Sequence, residues 1–458
     1  MATIERLPQR THDGTRTVGE RAQATALRHT RAIARLAPRW RETRSVWLGF
    51  AVLQAVTLGA FAGHMIAGDT LGDLPLYREW AMDAFEGRGI VGIDEAWVYP
   101  LLAWLPIGLA NVASAPAYLT LWLAMIVALD AVALRALLAP GSTRAIVAGW
   151  AWLGMLLALG PVATLRLEGV TAPLVVVAVL MLARRPWAAG ALLAVATWIK
   201  VWPAALVGAA LVALRERGRI LQAGAVVTVA VIVAAVALGD VGHLASFATM
   251  QEGRNLQLEA PLATPWVWMA MLGVRDAAVF QNVALATREV VGPLDGLAME
   301  ASTPLMLLAT VGALVLAQVA VRRGADRHET LLTAALVVTV AMFALNRVGS
   351  PQYMLWILPV AVVALATVDA AAQRWWRRMT AVLLAAAVLT TIIFPIAYVA
   401  LIDLQAWAVV LLTVRNLLLV VVLVAAARRM VVLAVGRSTL DAVRASRVAG
   451  PPQGARVG

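Results

Sequence analysis

Residues 68–100, GDTLGDLPLYREWAMDAFEGRGIVGIDEAWVYP, gather seven acids (Asp69, Asp73, Glu79, Asp83, Glu86, Asp94, Glu95) against two bases, Arg78 and Arg88, in a chain of formal net charge +12. An acidic, aromatic-bearing stretch directly after a long apolar segment can hold a carboxylate base at a water–lipid boundary. Asp73 lies two residues before Pro75. A helix opening near that proline puts Asp73 at or just before its N-cap, where backbone amides and the helix dipole favour the ionised form. On spacing alone Asp73 either only caps that helix or acts as a base, and Asp69, four residues earlier, competes for the second role.

Lys200, the single lysine of the chain, interrupts an apolar run in WIKVWP. A cation in such a run costs roughly 2.5–3.5 kcal/mol unless it reaches water or an anion. Pro203 breaks the helix just beyond it and frees backbone groups nearby. Lys200 is thus either a lysine snorkelling to an interface or an anion site, because a compact ammonium suits a phosphate. Glu168, in LRLEGVTAP beside Arg166, reads alone as a local ion pair closing a turn. Arg254, Gln257 and Glu259 in EGRNLQLEAP, and Arg347, Gln352 and Tyr353 in NRVGSPQYMLW, add polar groups just before apolar segments. Trp97 and Trp266 are candidates for stacking on a sugar, although most of the seventeen Trp read as interfacial anchors.

Positioning these groups falls to membrane helices. The chain has 458 residues, of which 62% are hydrophobic and 14% charged, a composition that excludes an ordinary soluble domain. Apolar runs longer than about 18 residues recur along it, as expected of a chain that crosses a bilayer many times. The surplus charge is arginine on the tails and on alternate connections, which the positive-inside rule explains better than nucleic-acid binding does. There is no cysteine, hence no disulfide or thiolate metal site, and the five His lack metal-site spacing. Residues 46–66 read as a retained signal anchor.

Setting every arginine-rich connection on one side predicts an inside group at the N-terminal tail, 135–144, 184–185, 215–219, 322–327, 374–378 and the C-terminal tail. The outside group is then 68–100, 164–169, 240–263, 346–353 and the short loop near Asp403. About twelve spans satisfy this alternation, with both termini inside. Two proline-containing segments, 99–112 and 261–274, fit only as re-entrant or surface helices. The domain reading is a basic tail over 1–44, with an interfacial helix near 22–36, one all-α polytopic domain over 45–428, and a basic tail over 429–458. The polar clusters share the outside face.

With these motifs in order, the chain resembles the polyprenyl-phosphate-sugar-dependent integral membrane glycosyltransferases, in particular family 87 of the GT-C fold class, an actinobacterial mannosyltransferase group. The stretches that carry the resemblance are DLPLY (73–77), VYP (98–100), RLE (166–168), IKVWP (199–203), RNLQLE (254–259) and SPQYMLW (350–356). The family often has Gly where Asn255 stands and Ser where Ala260 stands. The resemblance implies a helical bundle in the cytoplasmic membrane with its site on the extracytoplasmic face and Asp73 as general base. It implies a polyprenyl-phosphate-sugar donor, most simply carrying mannose, and a glycolipid or glycan acceptor. Lys200 and Arg254 would hold the donor phosphate. Tyr77, Tyr99, Glu168, Gln257, Glu259, Gln352 and Tyr353 would line the sugar and acceptor site. No cofactor and no metal site are implied, and a divalent cation stays open. The competing class is a secondary transporter or lipid flippase, against which stand the lack of an internal repeat and the placing of polar residues at one face. A non-catalytic family member is a third expectation.

Overall fold

The computed structural model describes residues 42–250, 254–283, 285 and 287–436. The expected surface helix at 22–36 lies outside the described residues, as does the expected C-terminal tail from residue 437 onward. The elements run α1 (Thr43–Ala67), α2 (Leu74–Phe85), α3 (Trp104–Ala110), α4 (Tyr118–Leu138), α5 (Thr143–Leu159), α6 (Pro161–Thr164), α7 (Leu167–Met181), α8 (Pro186–Ile199), α9 (Ala204–Ala213) and α10 (Arg217–Leu238). Then follow β1 (Leu256–Gln257), α11 (Thr264–Met271), β2 (Ala278–Asn282), β3 (Thr287–Val291), α12 (Asp295–Arg322), α13 (Arg327–Ala344), α14 (Met354–Thr367), α15 (Ala370–Thr391), α16 (Tyr398–Ile402) and α17 (Ala406–Val435).

Among the described residues seven helices, α1, α4, α10, α12, α13, α15 and α17, are long and apolar enough to cross a bilayer. This is a multi-pass helical membrane protein. Six of these helices turn large apolar side chains outward, among them Val52 and Val56 on α1, Val132 on α4, Val229 and Val233 on α10, Leu308 and Val311 on α12, Val388 on α15, and Val421 and Val424 on α17. So much exposed aliphatic surface suits hydrocarbon, not water. By contrast α14 is apolar all round and buried from Met354 to Leu365, as expected of a helix at the centre of a bundle. It packs against α5, α7, α13 and α15.

At one end of the bundle arginines close helix termini. Arg327 donates to the Ala213 carbonyl (2.7 Å), Arg144 to that of Val368 (2.8 Å) and Arg323 to that of Ala434 (3.1 Å), while Arg429 pairs with Glu329. The last carbonyls of a helix lack partners and carry negative partial charge, so guanidinium donors fit there twice over. α17 continues beyond Arg428 to Val435, so the helix runs into the basic tail expected over 429–458, and the Arg429–Glu329 pair ties it to α13. The polar connections meet at the other end, which α13 with its 18 residues sets about 27 Å away.

Two expectations are refined. The proline-containing segments form short helices, Leu101–Ala103 with α3 and Pro261–Ala263 with α11, well below spanning length. A small antiparallel sheet of order β1-β3-β2, absent from the sequence reading, sits beside α11. Six tryptophans, Trp97, Trp122, Trp152, Trp202, Trp356 and Trp376, are buried. They fill the bundle interior and are not interfacial anchors.

Candidate functional site

Asp73 takes the N-cap position of α2, with Pro75 in its first turn, yet its side chain makes no capping bond. One carboxylate oxygen pairs with Arg166, and the other accepts a hydrogen bond from the Tyr77 hydroxyl at 3.3 Å. The reading in which Asp73 merely caps its helix is therefore not the observed geometry. Gly72 makes the approach possible: its φ of +65° lies in the left-handed region, and its α-carbon face lies against Leu165, next to Arg166. Asp69 stands apart, 64% exposed and 3.9 Å from His64.

Arg166 and Glu168 do not pair with each other, contrary to the local reading. Arg166 turns to Asp73, and Glu168, 1% exposed in the first turn of α7, meets Lys200 at 3.3 Å. The two residues point to different partners because Arg166 has extended backbone before α7 while Glu168 is already helical. Lys200 lies where α8 stops and α9 has not begun, with Pro203 at the N-cap of α9. Its ammonium sits 4.1 Å from the centroid of the Tyr99 ring, and the Tyr99 hydroxyl is 3.4 Å from that of Tyr77. Asp73 and Lys200 thus meet through Tyr77 and Tyr99, while Arg166 and Glu168, two residues apart in the chain, hold one of them each. Burial draws the Lys200 pKa down, but Glu168, Tyr99, Tyr353 and Asp73 together outweigh it, so the ammonium is favoured. Burial also raises the Tyr99 and Tyr77 hydroxyls above the usual phenol range, which keeps them neutral donors.

An aromatic wall backs the first loop. Trp97 stands edge-on to Trp80 (5.4 Å between centroids) and Tyr99 (5.6 Å) and lies 5.5 Å from Trp104. Its 2% exposure leaves it no face for a sugar. Trp266 bonds the Pro293 carbonyl at 2.9 Å, outside this cluster. Next to the wall an apolar groove of about 360 Å3, lined by Phe85, Ile90, Leu101, Trp104, Leu105 and Leu238, opens on the bundle surface.

The 254–259 stretch reaches the same end. Arg254 keeps its Nε buried without a hydrogen-bond partner, and both Arg254 and Lys200 lie within electrostatic reach of Tyr353. Tyr353 is stacked on Trp356 at 3.7 Å. Gln257 is committed to the 346–353 loop: its side-chain oxygen accepts from the Gly349 backbone N–H (2.9 Å) and the Ser350 hydroxyl (3.3 Å), and its backbone N–H donates to the Arg347 carbonyl (2.9 Å). Gln352 is buried beside this seam. Glu259 is buried as well and faces Arg415 of α17, whose guanidinium donates to the Glu259 carbonyl at 3.0 Å and lies 4.0 Å from its carboxylate. Three carboxylates (Asp73, Glu168, Glu259) therefore share this end with four cations (Arg166, Lys200, Arg254, Arg415).

Two residues were missed from sequence. Arg415 is fully buried in an apolar helix, and a lone arginine in such a run is itself a signal. Glu289 on β3 accepts from Asn255 (3.0 Å), Asn282 (3.1 Å) and Thr287 (2.8 Å), tying the 254–259 stretch to the hairpin. Its signal was the alternating, β-branched TREVV.

No protein-family model, curated protein or solved structure matches this chain.

Proposed function

We propose that the chain is a polyprenyl-phosphate-sugar-dependent glycosyltransferase of the GT-C type, a hexosyltransferase that moves mannose from a lipid phosphate to a glycolipid or glycan hydroxyl. The observation that carries this reading is the convergence of Asp73 and Lys200, remote in sequence, on the two sides of the Tyr77–Tyr99 pair. A base and an excess of cations within one polar cluster are what displacement of a phosphate by a hydroxyl requires. In this reading about twelve helices cross the cytoplasmic membrane, the arginine-closed end faces the cytoplasm with both termini, and the site faces outward.

The step balances as an inverting displacement. The acceptor oxygen attacks the anomeric carbon, its proton passes to Asp73, and the bond from that carbon to the phosphate oxygen breaks with its electron pair leaving on the phosphate. A carboxylate has about four lone-pair sites, so Asp73 retains acceptor capacity while held by Arg166 and Tyr77. Arg166 and Tyr77 orient it. Lys200 and Arg254 offset the charge growing on the leaving phosphate, and the ammonium would exchange Glu168 for that phosphate. The apolar groove beside Trp104 accommodates the prenyl chain.

The test is transfer by purified protein in lipid, using prenyl-phosphate mannose and candidate acceptors. Asp73→Asn lowers turnover by roughly 10²–10⁴-fold, the range of a positioned base, with donor binding kept. Asp69→Asn leaves the rate near wild type. Lys200→Ala raises the KM for the donor about tenfold or more, as loss of a charged contact should. Absence of transfer from any prenyl-phosphate sugar, or full activity in Asp73→Asn, rejects the reading.

A further inference from the structure

The arginine-closed end holds a second charged feature that this chemistry does not use. A groove of about 470 Å3 is lined by Arg144, Ala370, Gln373, Arg374, Arg377 and Arg378. That size falls within the roughly 300–1,000 Å3 of small-ligand sites. Several arginines at this end are occupied by the protein: Arg323 and Arg327 by helix carbonyls, Arg429 by Glu329. The groove differs. Its floor is already satisfied, because Gln373 donates to the Leu365 and Val368 carbonyls (3.0 and 3.2 Å) and Arg144 uses one nitrogen on Val368. Arg374, Arg377 and Arg378 have no acceptor among the described residues, and no carboxylate lines the groove.

Positions 374, 377 and 378 are three and four apart on α15, so their guanidinia rise from one helix face while Arg144 comes from the first turn of α5. Like charges gathered this way repel unless an anion sits among them. Planar guanidinium forks approaching from two helices suit the oxygens of a phosphate. The exposed face of α15 then continues from Arg374 and Arg378 through Ala381 and Ala385 to Val388, which is 44% exposed. A charged groove at the head of a small, apolar, outward-facing stripe matches an amphiphile: phosphate among the arginines, acyl chain along α15.

We propose that this groove is a binding site for the phosphate headgroup of an anionic membrane lipid, separate from the transfer site. The phosphate chemistry is shared with soluble phosphates, and the apolar stripe assigns the lipid as its source.

The experiment uses full-length protein in detergent micelles with dioleoyl phosphatidate as probe, bound lipid being counted by native mass spectrometry. Inorganic phosphate is the competitor, and dioleoyl phosphatidylcholine the net-neutral control. The variant is Arg374→Gln/Arg377→Gln/Arg378→Gln, with Arg144 kept because it closes a helix end. Wild-type protein retains phosphatidate in preference to phosphatidylcholine, and the triple variant binds it on the order of a hundredfold more weakly, as loss of about 1 kcal/mol per arginine would give. Inorganic phosphate at equal concentration fails to displace it. Equal retention by wild type and variant overturns the site. Displacement by inorganic phosphate at matched concentration overturns the lipid assignment. An unchanged melting temperature of the variant shows that any loss of lipid is not unfolding.

Discussion

Burial lifts the Glu259 carboxyl from 4.5 to about 7, against the pull of Arg415 and Arg166, and its Oε2 has no hydrogen-bond donor. The folded protein therefore holds the Glu259 proton over a range where the unfolded chain has released it. The corresponding stability is fully present below pH 4.5 and is lost as pH rises through about 7. The shift corresponds to something on the order of 3 kcal/mol. The melting temperature of wild type should fall between pH 5 and 8, and Glu259→Gln, which keeps the shape and removes the titration, should flatten that fall. A parallel decline in both proteins would remove Glu259 as its source. Arg415 predicts the opposite kind of sensitivity: Arg415→Met frees the Glu259 carbonyl and leaves the carboxyl without its cation, so it should destabilise by about 3–5 kcal/mol, as breaking a buried pair does. Glu259→Gln/Arg415→Met, which removes both charges, should recover a large part of that loss.

Between the elements, the tightest junction is where the 346–353 loop crosses the 254–260 stretch. A Cβ on Gly349 would collide with the Ala260 backbone, and neither backbone is a flexible side chain that can turn aside. Gly349→Ala should cost about 1–3 kcal/mol in thermal unfolding, the usual range of overpacking. Gly63→Ala, on α1 with nothing nearby, should be neutral or stabilise by up to about 1 kcal/mol. Equal melting temperatures for the two variants would mean that the loops have room to separate. Such junctions mark the limit of what the sequence discloses. The break after Lys200 was legible because Pro203 dictates it locally, and the opening of α2 because Pro75 does. The pairing of Arg166 with Asp73 and of Glu168 with Lys200 was not, since neighbouring residues of opposite charge look like a local pair until the turn preceding α7 sends them apart. Gln257 read as a free polar group, because nothing in RNLQLE discloses that Gly349 and Ser350 take its oxygen. The β2–β3 hairpin was obscured by the apolar signal on either side of it.

Across the whole molecule, the alternation of arginine-closed and polar ends is what turns a list of helices into a sided membrane protein, and the cysteine-free sequence makes it directly measurable. Glu86 and Asp276 are exposed near the polar end, Arg184 and Arg322 are exposed at the arginine end, and each can be replaced singly by cysteine. Between Glu86 and Arg184 the chain passes through α4, α5 and α7; between Arg184 and Asp276 through α8, α9 and α10; between Asp276 and Arg322 through α12. If all of these helices cross, every consecutive pair is separated by an odd number of passages. The shorter ones qualify only because they are wrapped in protein: α9, with 10 residues and a length of about 15 Å, packs against α8, α10, α12 and α13 and needs no lipid contact along its full depth. A membrane-impermeant maleimide applied to intact cells should label Glu86→Cys and Asp276→Cys at once, and Arg184→Cys and Arg322→Cys only after permeabilisation. The reverse pattern would keep the helical order and place the Asp73–Lys200 cluster in the cytoplasm, beyond reach of an externally oriented lipid-linked sugar. Labelling of Arg184→Cys from the same side as Glu86→Cys would mean that one of α4, α5 and α7 fails to cross, and the twelve-helix arrangement would fall with it.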